Sequence, residues 1–244
     1  MTMLETPLDP SLFAEGPKRD ARFDVRERWL DMENLPHDHP DVHLEFLARQ
    51  MNEELNSMEI AASNLVDFPD TPWALRMSIA RQAADEARHA IAFRRLLEAR
   101  GGSISQFPVI NFQYRIMLAI PSLIGRLAVA NRSFEASGID AITDGLQSLN
   151  RKDDVEFTSL FDQQLADEVQ HVRFANVWIK KLVDEEGPRT MMALARGVAQ
   201  GDKAFKQIVG ADNLITYPVS EEVRREAGFT EAEIQTAHSF VAQN

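Results

Sequence analysis

The chain has 244 residues, 44% hydrophobic and 26% charged, enough for one sizeable core with the composition of an ordinary globular protein. A net charge of −12 disfavours nucleic acid as a partner, because phosphate backbones call for clustered Lys and Arg, and no apolar run approaches the ~20 residues that span a bilayer. Cysteine is absent, which excludes disulfides, thiolate metal sites and cysteine nucleophiles.

The opening Met1-Thr-Met-Leu-Glu-Thr6 has no basic stretch followed by an apolar one, so no secretory signal is expected and the cytoplasm is the default compartment. Residues 1–40 carry Pro7, Pro10, Pro17 and Pro36 and little periodicity. They read as an N-terminal arm with a helical turn near Arg26–Met32, anchored by Phe13, Phe23 and Trp29. His37, His39 and His43 are close in sequence, but Pro36 and Pro40 break the segment, and a loop leading into a helix is the expectation there.

From Asp41 the pattern becomes helical, with Leu44, Leu47, Met51, Leu55, Met58 and Ala62 recurring at three- and four-residue steps. This helix is expected to end near Phe68-Pro-Asp-Thr-Pro72, with Thr71 as N-cap and Pro72 in the first turn of the next. The second helix should run from about Trp73 to Arg100 and stop at Gly101-Gly102. The third should span about Asn111 to Ser137, kinked or divided at Pro121 and ended by Gly138. A connector over 138–152 has room for a short helix from Ala141 to Leu149. The fourth helix should run from Asp154 to Glu185 and stop at Gly187-Pro188. Shorter helices follow at about Arg189–Val209, Glu221–Glu226 and Glu231–Ala242, and no alternating strand pattern is visible. The class is therefore all-α: a four-helix bundle over 41–186, preceded by the arm and followed by C-terminal helices over 187–244 packed on the bundle.

Two of the long helices carry a shared signature. The second contains Asp85-Glu86-Ala-Arg-His89 and the fourth Asp167-Glu168-Val-Gln-His171. A Glu and a His three residues apart lie one turn apart on the same helical face, so both can reach one metal ion. A single such pair is common on charged helices; two copies, each preceded by Asp and each deep in a long amphipathic helix, are less easily accidental. The helix before each copy also supplies a glutamate, Glu59 within Met58-Glu-Ile-Ala-Ala-Ser63 and Glu135 within Phe134-Glu-Ala-Ser137. Glu54 rivals Glu59, and Glu59 is preferred because its local context resembles that of Glu135. Four carboxylates and two imidazoles are the ligand set of a dinuclear carboxylate bundle. Such mixed donors suit iron or manganese better than zinc. Each candidate shares a mostly apolar stripe, where unpaired carboxylates would be costly and mutually repulsive without cations. Asp85 and Asp167 point about 100° away from their Glu neighbours. They are placed to accept the free ring N–H of a histidine in the other half, with Arg88 as an ion-pair partner.

Asp85-Glu86-Ala-Arg-His89 resembles the motif of ferritin-like di-iron oxidases and desaturases. The stretch His43–Ile60, Phe68-Pro-Asp-Thr-Pro72, Phe134-Glu-Ala-Ser-Gly-Ile-Asp140 and Asp167–His171 are similar to segments of a bacterial ferritin-like family catalogued as a domain of unknown function. A related branch includes tRNA hydroxylases. The resemblance covers roughly residues 41–182, and departs at Glu53, where the family often has His, and at Ser137, where it often has Arg. It implies a ferritin-like bundle holding two iron ions, with Fe/Mn or manganese pairs as variants, and dioxygen as co-substrate. Glu59, Glu86 and His89 would then serve one ion and Glu135, Glu168 and His171 the other, with Glu86 and Glu168 as bridges. The expected activity is an oxygenase or oxidase of a small organic molecule, with Asn56, Ser63, Asn131, Phe134 and Trp178 as candidate pocket residues. A ferroxidase, iron store or peroxide scavenger needs the same ligands; a tRNA hydroxylase is disfavoured by the −12 charge. No motif marks an electron donor, and a homodimer through an apolar helix face is compatible with the pattern.

Overall fold

The computed structural model describes residues 9–14, 16–17, 19–36, 38–148, 154–210 and 216–242. The apolar steps that begin at Leu44 form α2 (Val42–Asp67), and those beyond Pro72 form α3 (Trp73–Ala99). The two are joined by five residues and pack along each other as a helical hairpin. Thr71 does not cap α3: its hydroxyl donates to the Phe68 carbonyl at 2.7 Å, closing the end of α2, and Pro72 occupies the N-cap.

The segment expected as one helix from Asn111 is divided at Pro121, giving α4 (Phe112–Leu118) and α5 (Leu123–Val129). The Ser122 hydroxyl caps α5 by accepting from the Gly125 amide at 3.3 Å. The chain then passes through one π-helical stretch, Ala130–Glu135, into α6 (Ala136–Ser148). Gly138 was expected to end the helix and does not. It keeps a negative φ, and the buried Ile139 and Ile142 beyond it carry the helix onward. Residues 149–153 lie outside the described chain, and α7 (Val155–Glu186) starts at an Asp154 cap and ends at Gly187, whose φ of 69° suits glycine.

A short α1 (Ser11–Ala14) and a 3-10 turn at Trp29–Asp31 interrupt the arm, the latter where a helical turn was expected. Phe13, Phe23 and Trp29 do pack against core clusters. Two three-residue strands correct the strand-free reading: β1 (Asp24–Arg26) pairs in parallel with β2 (Pro108–Ile110), Val25 opposite Val109. Three residues are too short a run for alternation to register in sequence. His39 and His43 serve the turn before α2, the first accepting from the Asp41 amide and the second bonded to the Pro40 carbonyl oxygen; His37 lies outside the described residues.

Beyond the bundle, α8 (Pro188–Ile208) crosses α5, while α9 (Glu221–Glu226) and α10 (Glu231–Val241) cover α6 and α7 through Ala227, Phe229 and Ile234. Among the described residues no helix is long and apolar enough to cross a membrane.

The core divides along the bundle axis. One apolar cluster gathers Leu47, Met51, Phe93, Leu97, Phe157 and Phe161. A second gathers Ala61, Leu75, Ile79, Leu127, Ala175 and Ile179. In α2, α3 and α7 alike, the residues between these two layers are the acidic and histidine positions.

Candidate metal centre

Glu54, Glu86, His89 and Glu168 bring one ligand atom each within 4.8 Å of one another, and so do Glu86, Glu135, Glu168 and His171. The two sets share Glu86 and Glu168. All are buried except Glu135, which is half-buried. Such a group could hold metal ions, and the doubled set has the composition of a dinuclear site.

Both histidines turn the same nitrogen inward. His89 Nδ1 lies 3.1 Å from Glu86 and 3.2 Å from Glu54; His171 Nδ1 lies 3.3 Å from both Glu86 and Glu168. The outer nitrogens are held across the bundle: His89 Nε2 is 3.1 Å from Asp167, and His171 Nε2 is 3.3 Å from Asp85. Arg88 donates to both aspartates, at 2.6 and 3.0 Å, and ties the two halves together. An aspartate on Nε2 fixes the proton there and leaves Nδ1 free to ligate, which is how carboxylates orient metal-binding imidazoles.

The electrostatics are those of a crowd of acids without cations. Burial pushes Glu54 and Glu135 well above the usual carboxylate range, and neighbouring glutamates add to it. Burial and the Glu86 charge raise Glu168. Burial also opposes the charge on Glu86, but hydrogen bonds from both histidines outweigh it and hold that carboxyl low. Burial disfavours the imidazolium of His89, yet Glu54 and Glu86 raise its pKa to about 11; His171 is raised likewise by Glu168 and Glu86. Burial and mutual repulsion thus favour bound protons at Glu54, Glu135 and Glu168, and the carboxylates favour them on both histidines.

Glu59 is corrected by the geometry. It stands five residues, about 140°, from Glu54 on α2, forms an ion pair with Arg19 from the arm, and borders a separate surface hollow with Ala62 and Tyr114. Glu54 is the α2 carboxylate brought to the cluster. Of the candidate pocket residues, Asn131 and Phe134 line a cavity of about 1240 Å3 that reaches Glu54, Glu135 and Glu168. Asn56 is instead buried in a hydrogen bond to the Asn52 carbonyl oxygen at 2.7 Å. Ser63 faces the Tyr114 hydroxyl at 3.5 Å beside Glu59, and Trp178 packs in an apolar cluster under Lys181.

Three amides complete the cluster: Gln82 and Gln164 were not among the expected site residues, while Asn131, expected in the pocket, also binds a carboxylate. Gln82 donates to Glu86 at 3.3 Å and also to Glu135; Asn131 donates to Gln82 at 3.1 Å and to Glu135 at 2.9 Å; Gln164 donates to Glu54 at 2.7 Å. The sequence carries the signal: each motif is longer than it first reads, Gln82-Ala-Ala-Asp-Glu-Ala-Arg-His89 matching Gln164-Leu-Ala-Asp-Glu-Val-Gln-His171 as Gln-x-Ala-Asp-Glu-x-x-His. The π-helical stretch of Ala130–Glu135 also belongs to the site, since it delivers both Asn131 and Glu135. Such single turns recur at functional positions.

With this geometry in hand, the class is a helical bundle with a buried carboxylate–histidine cluster suited to metal. The chain belongs to the family described as "Protein of unknown function (DUF455)", whose signature matches residues 5–235. No curated protein and no solved structure matches it.

Proposed function

We propose that the protein is a ferritin-like dinuclear metalloenzyme, iron being the best fit and Fe/Mn or manganese the variants, that uses dioxygen to oxidise a small organic molecule. The donor set supports two ions: four carboxylates and two imidazoles, with Glu86 and Glu168 common to both groups. Glu54 and His89 would complete one position, Glu135 and His171 the other. Two ferrous ions there would supply the electrons for dioxygen reduction and the oxidising power for attack on a bound substrate. The chain's own part is to hold and to enclose. Asp85 and Asp167 keep the histidine protons on Nε2, Arg88 bridges that pair, and Gln82, Asn131 and Gln164 fix the outer carboxylates. Apolar layers flank the cluster on either side.

The observation that carries an organic substrate is the cavity. A ferroxidase, an iron store or a peroxide scavenger needs the cluster but no space of about 1240 Å3 lined by aromatic side chains beside it. Oxygen uptake by the Fe(II)-loaded protein tests this reading. A small organic molecule that raises uptake and is recovered as an oxidised product supports it. Uptake that follows added Fe(II) alone, across a screen of amines, acids and aromatics, would favour the ferroxidase reading.

A further inference from the structure

The cluster is built twice, and one copy is incomplete on the cavity side. In the first copy Gln82 spends its amide nitrogen on Glu86 and Glu135, and its Oε1 receives the Asn131 amide at 3.1 Å. In the second copy Gln164 spends its nitrogen on Glu54 at 2.7 Å, but its Oε1 is buried without a hydrogen-bond partner. Asn131 precedes Glu135 by four residues; the residue four before Glu54 is Gln50, and its amide turns to Glu53 at 3.3 Å instead. Gln164 is only 4% exposed and lines the cavity, so an unsatisfied acceptor sits at the edge of the proposed reaction site. An amide oxygen left bare in such a place keeps its desolvation cost, and a ligand that donates to it recovers that cost.

The surroundings say what kind of donor fits. One and two turns before Gln164 on α7, Phe161 and Phe157 line the same cavity, joined by Phe46 from α2. The Phe157 and Phe161 ring centroids lie 4.5 Å apart, and the Phe46 centroid lies 6.2 Å from the first and 6.1 Å from the second. The cavity wall also carries the carboxyl group of Glu53, beside the Gln50 amide at 3.3 Å, and that of Asp202, which is paired with Lys206 at 2.7 Å. Its two arginines are committed, Arg132 to Glu233 at 2.5 Å and Arg224 to Asp140 at 2.6 Å. With Asp140, Asp202 and Glu233 each paired to a cation, Glu53 is the wall carboxylate placed to meet a charged occupant. Aromatic faces beside a carboxylate favour a cation.

We propose that the cavity takes an organic amine as substrate, its ammonium donating to Gln164 Oε1 and its apolar body lying against Phe46, Phe157 and Phe161. This names the substrate class for the reaction proposed above and rests on that reading for the chemistry, while Gln164 and the cavity are present with or without ions.

The test is calorimetric titration of 3-phenylpropylamine, 3-phenylpropanol and 3-phenylpropanoate into the full chain, metal-free and after anaerobic Fe(II) loading. The amine should bind about tenfold or more tighter than the alcohol, and the carboxylate weakest of the three. Gln164→Met, which keeps the volume but lacks the acceptor, should lose about tenfold in amine affinity, the size of one charge-assisted hydrogen bond. Glu53→Gln should weaken the amine and leave the alcohol unchanged. Equal binding of amine and carboxylate, or Gln164→Met binding the amine as well as the parent, overturns the inference. Metal loading measured on the same samples separates the two claims. Two ions with no preference for the amine sinks the substrate class alone; amine preference lost in Gln164→Met, in a chain that takes up no ions, keeps the binding site and sinks the metalloenzyme.

Discussion

Glu54 and Glu59 sit on one helix five residues apart, and the cluster takes the first while the arm takes the second. Variants should therefore part cleanly. Glu54→Ala should reduce bound metal by about one ion per chain. Glu59→Ala should leave the metal count unchanged and cost roughly 1–3 kcal/mol, because Arg19, with its side chain 6% exposed, loses its carboxylate. Metal analysis beside thermal unfolding of both variants checks the pair. A metal count that falls in Glu59→Ala and not in Glu54→Ala would reverse the assignment.

The protons held by the metal-free cluster set its response to pH. His89, raised from 6.5 to about 11, contributes stability that is complete below pH 6.5 and lost as pH rises through 11. Glu54, Glu135 and Glu168 are raised as well, so they cost stability once pH passes their unfolded value of 4.5. Both effects have the same sign: the metal-free chain should unfold at lower temperature at pH 9 than at pH 7. Ligation must displace these protons, so metal affinity should rise over the same interval and binding should release protons. Calorimetry in buffers of different ionisation enthalpy measures that release. Binding that is independent of pH between 7 and 9 would contradict the proton inventory.

At the level of elements, one crossing is unusually close. A Cβ added at Gly197 of α8 would fall 2.5 Å from the Gly125 Cα of α5, so the two backbones meet with no side chain between them. Gly197→Ala should force the helices apart and cost about 1–3 kcal/mol, seen as a lowered melting temperature. Melting unchanged in that variant would show that the crossing gives freely. Periodicity made the long helices legible, because α2, α3 and α7 bury a continuous stripe and repeat it over many turns. The third segment was less so. Gly138 is a stop signal only where the chain must turn to positive φ, and here tertiary packing of Ile139 and Ile142 overrides it. The site followed the same division. The two Glu-x-x-His pairs are local in sequence and could be read. The choice of Glu54 depended on which face of α2 meets α3 and α7, and the amides on a motif extended one turn upstream.

For the whole molecule, a buried ion pair ties the C-terminal helices to the bundle, beside the Arg132–Glu233 pair and the apolar contacts of Ala227, Phe229 and Ile234. Arg224 of α9 binds Asp140 of α6 at 2.6 Å, with side chains 11% and 4% exposed, and Asp140 also accepts from the Ser220 amide at 2.9 Å. Asp140→Ala leaves Arg224 without its partner and should cost about 3–5 kcal/mol, the range for breaking a buried pair from one side. Chemical denaturation would read that loss, and a change below about 1 kcal/mol would mean that this pair contributes little to holding the C-terminal helices. The family match over residues 5–235 takes in the arm, the bundle, α8 and α9.

The most direct measurement is metal content per chain after anaerobic Fe(II) loading and removal of excess ion, on the parent protein and on Glu86→Ala, which deletes a carboxylate common to both ligand groups. About two ions per chain in the parent, and loss of binding in Glu86→Ala with helical content retained, is the expected result. A parent chain that takes up no stoichiometric metal, or a Glu86→Ala chain that still holds two ions, would contradict the dinuclear centre.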